Sequence, residues 1–272
     1  MTSEALGRDC SGSPERFGYE WQTYCEIRPE YEEQFRRWTV HLDADDWRQT
    51  NFIDVGCGTG RNSWWPMKYG AAGGCAVDID DRSLASARAN LAPFPGVEVM
   101  RASAYDLDFA ERFDIAFSIG VVHHLEDPAA ALAAMARAVK PGGKVLIWVY
   151  GREGNEALLF VLDPLRRALF SRLPIGLVHH LSRYPAALLW LLLRMGLRLN
   201  QYWRLIAGFD FRHLRSIVFD QMLPRIAHYW TREEVAALMA GAGLEDVRVA
   251  AVNGMSWSAI GTRPAHGLGA KA

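Results

Sequence analysis

Three observations predict an α/β fold built on a doubly wound, mostly parallel sheet. An apolar strand runs into a glycine-rich turn over Asn51 to Gly60, NFIDVGCGTG. A second strand ends in an acid at Asp78, and strand-like and helix-period segments then alternate as far as Tyr150. In the first strand Phe52, Ile53 and Val55 supply the buried residues. Gly56, Gly58 and Gly60 let the backbone turn tightly and approach a ligand without Cβ clashes. The second strand is read in Gly74 to Ile79, and a third strand with its loop in Val97 to Tyr105. Phe113 to Leu125 reads as a fourth strand and its exit loop, and Lys140 to Tyr150 as a turn and a fifth strand. Alanine-rich helices are expected at Asp81 to Leu91 and Pro128 to Val139. Later, Thr231 to Ala242 reads as a helix with Thr231 as N-cap and Glu234 completing a capping box. Strands near Val247 to Val252 and Ser256 to Gly261 would complete the sheet.

The turn after the first strand narrows the ligand. A dinucleotide fingerprint would read GxGxxG, with a pyrophosphate on the next helix N-terminus. Here the spacing is GxGxG, and Asp54 precedes it by two residues. An acid at that point repels a pyrophosphate and suits a ligand with an ammonium group, such as S-adenosylmethionine. Asp78 falls about 18 residues past the last glycine, where doubly wound folds place a carboxylate on ribose hydroxyls.

With these residues in place, the chain resembles the class I S-adenosylmethionine-dependent methyltransferases. Asp54 to Gly60, Asp78, FDIAFSIGVVHHLEDP and LxxxxRAVKPGG match that family's strand motifs over roughly 51–150. FGYEW, GTGRNSWWP, WVYGREGNE and NGMSW further resemble a bacterial methyltransferase-like subfamily, over nearly the whole chain. The resemblance implies a Rossmann-like sheet with a helical insertion and S-adenosylmethionine as cofactor. It implies that Asp54, Gly56 and Gly58 line the methionine and adenosine side, and that Asp78, with Ile79 beside it, holds the ribose. Ser103 and Ala104 would lie by the adenine, although the acid usual before the small residue is missing. Ser118, Ile119 and Gly120 would pass under the cofactor.

At 272 residues and 50% hydrophobic, the chain is long enough for one full core with an elaboration. The expected division is a leader or lid at 1–50, a cofactor-binding core at 51–150, a helical insertion capping the acceptor side at 151–225, and the last part of the core at 226–272. A formal net charge of −1 offers no global argument for nucleic acid. Cys10, Cys25, Cys57 and Cys75 are scattered with no CxxC pair and read as reduced thiols. The opening MTSEALGRDC lacks a basic region followed by an apolar core, so a cleaved signal is not expected and a cytoplasmic location is.

The leader mixes aromatics with acids and arginines, and in the family such a segment often caps the cofactor. Tyr19, Trp21 and Tyr24 are the residues chosen to face the pocket, with a cation–π rationale beside a sulfonium; packing onto the sheet is the alternative. The insertion has helical patterns at Glu156 to Phe170 and Pro185 to Leu199. Its longest uncharged run, Tyr184 to Leu193, is about ten residues where a bilayer needs about 20. It is read as a buried cap, with contact at a membrane surface as the alternative. His179 and His180 lack acid or cysteine partners nearby in sequence, so no metal site is expected.

Methyl transfer is a displacement at an activated carbon, and it chiefly requires alignment and exclusion of water. Where the acceptor is a hydroxyl, a base helps. His124, or less readily His123, is placed for this at the fourth strand's exit, and Tyr19 is the second catalytic candidate. Tyr150, Asn155, His228, Tyr229 and Asn253 are secondary pocket candidates. The expected activity is methyl transfer to a small or moderately apolar acceptor. The alternative is intramolecular displacement within the cofactor, giving azetidine-2-carboxylate and methylthioadenosine, with no partner beyond S-adenosylmethionine. A non-catalytic cofactor-binding module and a nucleic-acid methyltransferase are disfavoured, the first by the intact loop and both acids, the second by SIGVVHH where an NPPY-like motif would stand.

Overall fold

Residues 13–199 and 201–265 are described by the computed structural model. Five strands run parallel: β1 (Asn51–Val55), β2 (Gly73–Asp78), β3 (Val97–Arg101), β4 (Phe113–Ile119) and β5 (Val139–Tyr150). A hairpin of β6 (Glu245–Val252) and β7 (Ser256–Thr262) joins antiparallel to β5, so the sheet order is β3-β2-β1-β4-β5-β7-β6. The hairpin turns at Asn253 and Gly254, both with positive φ. The order reverses between β1 and β4. This switch point opens a crevice at the strand carboxyl ends, where such sheets bind ligands.

The apolar residues of each strand alternate between two cores. On one face Ile53, Val77, Ala116 and Ile147 pack with Leu132 and Met135 of α5 (Pro128–Ala138) and Val235 of α11 (Arg232–Gly241). On the other, Phe52, Phe117 and Leu146 meet Phe35 of α2 (Glu30–Trp38) and Trp47, with the Trp47 and Phe117 rings 5.4 Å apart. The Thr231 capping box is formed: Thr231 Oγ1 accepts the Glu234 N–H at 3.3 Å, and Glu234 Oε2 accepts the Thr231 N–H at 2.8 Å.

The sequence pattern is corrected at four places. Lys140 to Gly143, expected as a turn, is the opening of β5, whose register with β4 shifts between Phe113 and Ile115 around Gly142 at φ 77°. The expected helix to Leu199 stops at Arg194, because Gly196 takes φ 90°. The expected helix to Phe170 is α-helical only to Leu165 and continues as a π turn over Arg166–Phe170. Helix α3 (Arg61–Lys68), with Pro66 inside it, was not anticipated at all.

Helix α1 (Pro14–Thr23) sits between the sheet and a helical cap. On the sheet side, Gly18 is so close to the turn after β2 that a Cβ there would lie 1.9 Å from Asp80 Oδ1. That turn leads into α4 (Asp81–Leu91). The cap comprises α6 (Glu156–Leu165), α7 (Ile175–Leu181), α8 (Arg183–Arg194), α9 (Gln201–Ile206) and α10 (Phe211–Met222). Its inner clusters centre on Val178 and Phe219, and on Leu193 and Leu214. Arg16 of α1 reaches across to it and donates to the carbonyls of Phe170 at 2.8 Å and Leu173 at 3.2 Å.

Candidate active site

A cavity of about 310 Å³ lies at the switch point, walled by the sheet's carboxyl edge, by α1 and by the cap. Its floor is the turn after β1. Gly56 and Gly58 take φ 77° and 54°, and a Cβ on Gly56 would meet Val121 at 2.4 Å, so the backbone itself forms the surface. Asp78 closes that floor. One of its oxygens accepts the Gly58 N–H at 2.9 Å and the other accepts the Asp80 N–H at 3.0 Å, which ties the turn to the end of β2. Burial raises its proton affinity, and these two N–H donors pull it back. Ile79, Ala104, Ile119 and Gly120 also line the cavity.

Asp54 lies one layer behind this surface. It is fully buried, its Oδ2 accepts the Ser63 hydroxyl at 2.7 Å, and burial pushes its pKa up to about 7. Ser103 and Ser118 are likewise internal. Ser103 Oγ accepts the Tyr105 N–H at 3.1 Å within the loop, and Ser118 Oγ donates to the Val55 carbonyl at 2.8 Å between β1 and β4.

The leader aromatics divide by helical phase. Phe17, Glu20 and Trp21 share the α1 face that lines the cavity. Trp21 covers the glycine turn, with its Nε1 only 3.1 Å from where a Gly58 Cβ would stand. Tyr19 and Tyr24 instead meet His179 of the cap, their hydroxyls 3.2 Å from its Nδ1 and 3.1 Å from its Nε2. Trp21, Tyr31 and Trp38 surround the Arg61 guanidinium at 5.3, 5.0 and 5.4 Å, and Arg61 also lines the cavity.

His124 lines the cavity, with its Nδ1 donating to the Ile226 carbonyl at 2.8 Å. Burial pulls its pKa down to about 3, so its ring is neutral and Nε2 carries the lone pair. His123 is fully buried against Tyr150, ring centres 3.8 Å apart, and its pKa is depressed by burial as well. Tyr150, Asn155, Tyr229 and Asn253 line the cavity, whereas His228 is bound to the Leu125 carbonyl at 3.0 Å.

Sequence reasoning missed a carboxyl pair. Glu20 of α1 and Asp220 of α10 both line the cavity, and the charge of Asp220 acts on Glu20. Glu20 is 1% exposed and its Oε2 has no hydrogen-bond partner among the described residues. Burial, then the Asp220 charge, hold its pKa well above the usual range. Asp220 accepts the Tyr150 hydroxyl at 3.1 Å and is itself pushed up by burial. The only sequence signal was an acid embedded in the aromatic FGYEW segment, with no sign of its partner 200 residues away. Among the described residues no three His, Cys, Asp or Glu side chains converge to hold a metal ion.

The chain is similar in sequence and fold to known proteins. Residues 53–147 match the methyltransferase domain family. A protein of Encephalitozoon cuniculi named as a methyltransferase is 31% identical over 160 residues, covering 56% of this chain and 70% of that protein. The ubiquinone biosynthesis O-methyltransferase of Leptothrix cholodnii is 27% identical over 184 residues, covering 65% of this chain and 70% of that enzyme. The crystal structure of an S-adenosylmethionine-dependent methyltransferase from Aquifex aeolicus superposes with a TM-score of 0.53 at 15% identity, covering 87% of this chain and 94% of that one. The chain belongs to the class I S-adenosylmethionine-dependent methyltransferases. It is an enzyme, and S-adenosylmethionine is its cofactor. The bare glycine floor and the carboxylate at Asp78 fit that group.

Proposed function

We propose that this enzyme methylates a small or moderately apolar acceptor that lies against the cap side of the cavity. The observation that carries the reading is the cavity's continuity: it runs from Gly56, Gly58 and Asp78 on the sheet to Tyr202, Leu205 and Asp220 on the cap, past the rings of Phe17 and Tyr150. One end is made of backbone and the Asp78 carboxylate, and the other sets aromatic and aliphatic side chains around the Asp220 carboxyl. When bound, S-adenosylmethionine supplies a methyl group activated by a sulfonium.

In this reading Gly56, Gly58, Ile119 and Gly120 cradle the cofactor by backbone, Asp78 takes the ribose hydroxyls, and Ile79 and Ala104 flank the adenine. Arg61 is a cation within the cavity, held by π faces, and it is assigned to the cofactor's carboxylate. Trp21 roofs the turn and excludes water. Asp54, Ser103 and Ser118 support the loops from behind, and Tyr19 and Tyr24 hold the leader to the cap.

Proton handling falls to Glu20 and Asp220 rather than to His124. A group with a pKa of about 3 takes up a proton poorly at neutral pH, whereas burial raises the proton affinity of both carboxyls, which face the cavity. His124 Nε2 serves as a hydrogen-bond acceptor that orients the incoming nucleophile.

The test begins with pure protein and S-adenosylmethionine alone, then adds apolar phenols, amines and carboxylic acids, with products resolved by mass spectrometry. S-adenosylhomocysteine that appears only with an acceptor, together with the methylated acceptor, is expected. Methylthioadenosine and a cyclic amino acid formed from the cofactor alone would overturn the reading.

A further inference from the structure

Helix α8 has an apolar face on each side. Inward it buries Ala186 and Leu193, with Leu189 and Trp190 half-buried in the same cap cluster. Outward, Tyr184, Leu188 and Leu191 recur at the spacing of one helical face, and Met195 continues the line just past its end. They are 62%, 58%, 50% and 74% exposed, in a chain whose sheet-side apolar residues are nearly all covered. A contiguous exposed stripe of this kind on a soluble face marks an interaction surface.

The charge around the stripe indicates the occupant. From Pro164 to Phe209 the chain has seven arginines and no aspartate or glutamate. Arg183 and Arg194 flank the stripe at the two ends of α8, and both are exposed without an ion-pair partner among the described residues. A protein partner would meet this surface with alternating charge as readily as with one sign. A stripe of leucines and a tyrosine with an exposed arginine at each end complements an anionic lipid surface, in which the apolar side chains enter the headgroup boundary while the arginines reach phosphates. No helix among the described residues is long and apolar enough to cross a bilayer, so such a segment would lie on the surface.

We propose that the outer face of α8 docks this enzyme on an anionic lipid surface. The same cap lends Tyr202 and Leu205 to the cavity, so docking brings the acceptor end of the site to the lipid boundary. The docking itself does not depend on which acceptor is methylated.

The proposal is tested by sedimenting the full-length protein with vesicles of phosphatidylcholine alone and of phosphatidylcholine with phosphatidylglycerol, at low and high salt. Binding to the anionic vesicles only, weakened at least tenfold by high salt, is expected. The double substitution Leu188→Glu with Leu191→Glu should abolish it. Arg183→Gln with Arg194→Gln should lower it roughly tenfold or more. Circular dichroism and calorimetric binding of S-adenosylmethionine should be unchanged in both variants, which separates lost docking from lost folding. Equal binding to both vesicle types, binding to neither, or binding that survives the glutamates would overturn the proposal. So would a lipid-free dimer, seen by light scattering, that Leu188→Glu dissolves, because the stripe would then belong to a second copy of the chain.

Discussion

In the proposed reading Asp78 serves twice with one carboxylate: it ties the glycine turn through Gly58 and Asp80, and its remaining lone pairs are assigned to the ribose. Asp78→Ala is expected to weaken S-adenosylmethionine binding by about 1 to 3 kcal/mol, through lost charge-assisted hydrogen bonds and a loosened turn. Unchanged affinity by calorimetry would remove the assignment. Glu20 makes a prediction with the opposite pH sense to a salt-bridged acid. In the unfolded chain it titrates near 4.5, but in the fold it holds its proton to much higher pH. Between those two points the folded state retains a proton that the unfolded state has lost, so this group costs stability as pH rises. Glu20→Gln should therefore gain melting temperature relative to the parent at pH 8 and show little gain at pH 4. The same substitution, or Asp220→Asn, should flatten the alkaline-rising limb of kcat/KM, which belongs to the pair rather than to either residue. His124→Ala should lower kcat without moving that limb, because a group near 3 does not titrate in the assay range. A limb displaced by His124→Ala would return the proton to the histidine.

Helix α1 is the element on which the site depends, because it touches the glycine turn with one face and the cap with another. A Cβ on Gly58 would stand 3.1 Å from Trp21 Nε1, so the indole would have to give way by a few tenths of an ångström, and Gly58 has positive φ. Gly58→Ala thus meets both strain and Trp21, and cofactor affinity is expected to fall at least tenfold with the fold intact by circular dichroism. Trp21→Ala relieves the contact but opens the roof and removes one wall of the Arg61 cage. It is expected to speed cofactor release, measured by stopped-flow fluorescence. A release rate equal to the parent's would show that α1 does not cover the bound cofactor.

Leader, sheet and cap each contribute walls to one cavity, and this couples the parts of the chain. Arg16 binds cap carbonyls, Gly18 lies on Asp80, and Tyr19 and Tyr24 hold His179. The division into leader, core, cap and returning core is accordingly expected to describe sequence segments and not separate folding units. A single calorimetric unfolding transition should result. S-adenosylhomocysteine at a hundredfold excess over its dissociation constant should raise that whole transition by about 2.7 kcal/mol of stability. A ligand-insensitive second transition would instead assign the cap an independent core.

The sequence alone determined the sheet, its glycine turn and the acid at Asp78, because those signals are local: strand periodicity, turn chemistry and an offset between two neighbouring strands. It also placed Trp21, His124, Ile119 and Gly120, which all lie on the cavity. It did not separate Trp21 from Tyr19 and Tyr24, since aromatic content says nothing of which way a helix rolls between two neighbours. It chose His124 as the base for its position and had no means of knowing that burial would depress its pKa. The Glu20–Asp220 pair, the aromatic cage of Arg61 and the outward face of α8 were decided only by tertiary structure. Each depends on residues far apart in the chain, or on which side of a helix finds no cover, and long-range packing writes no period into a sequence.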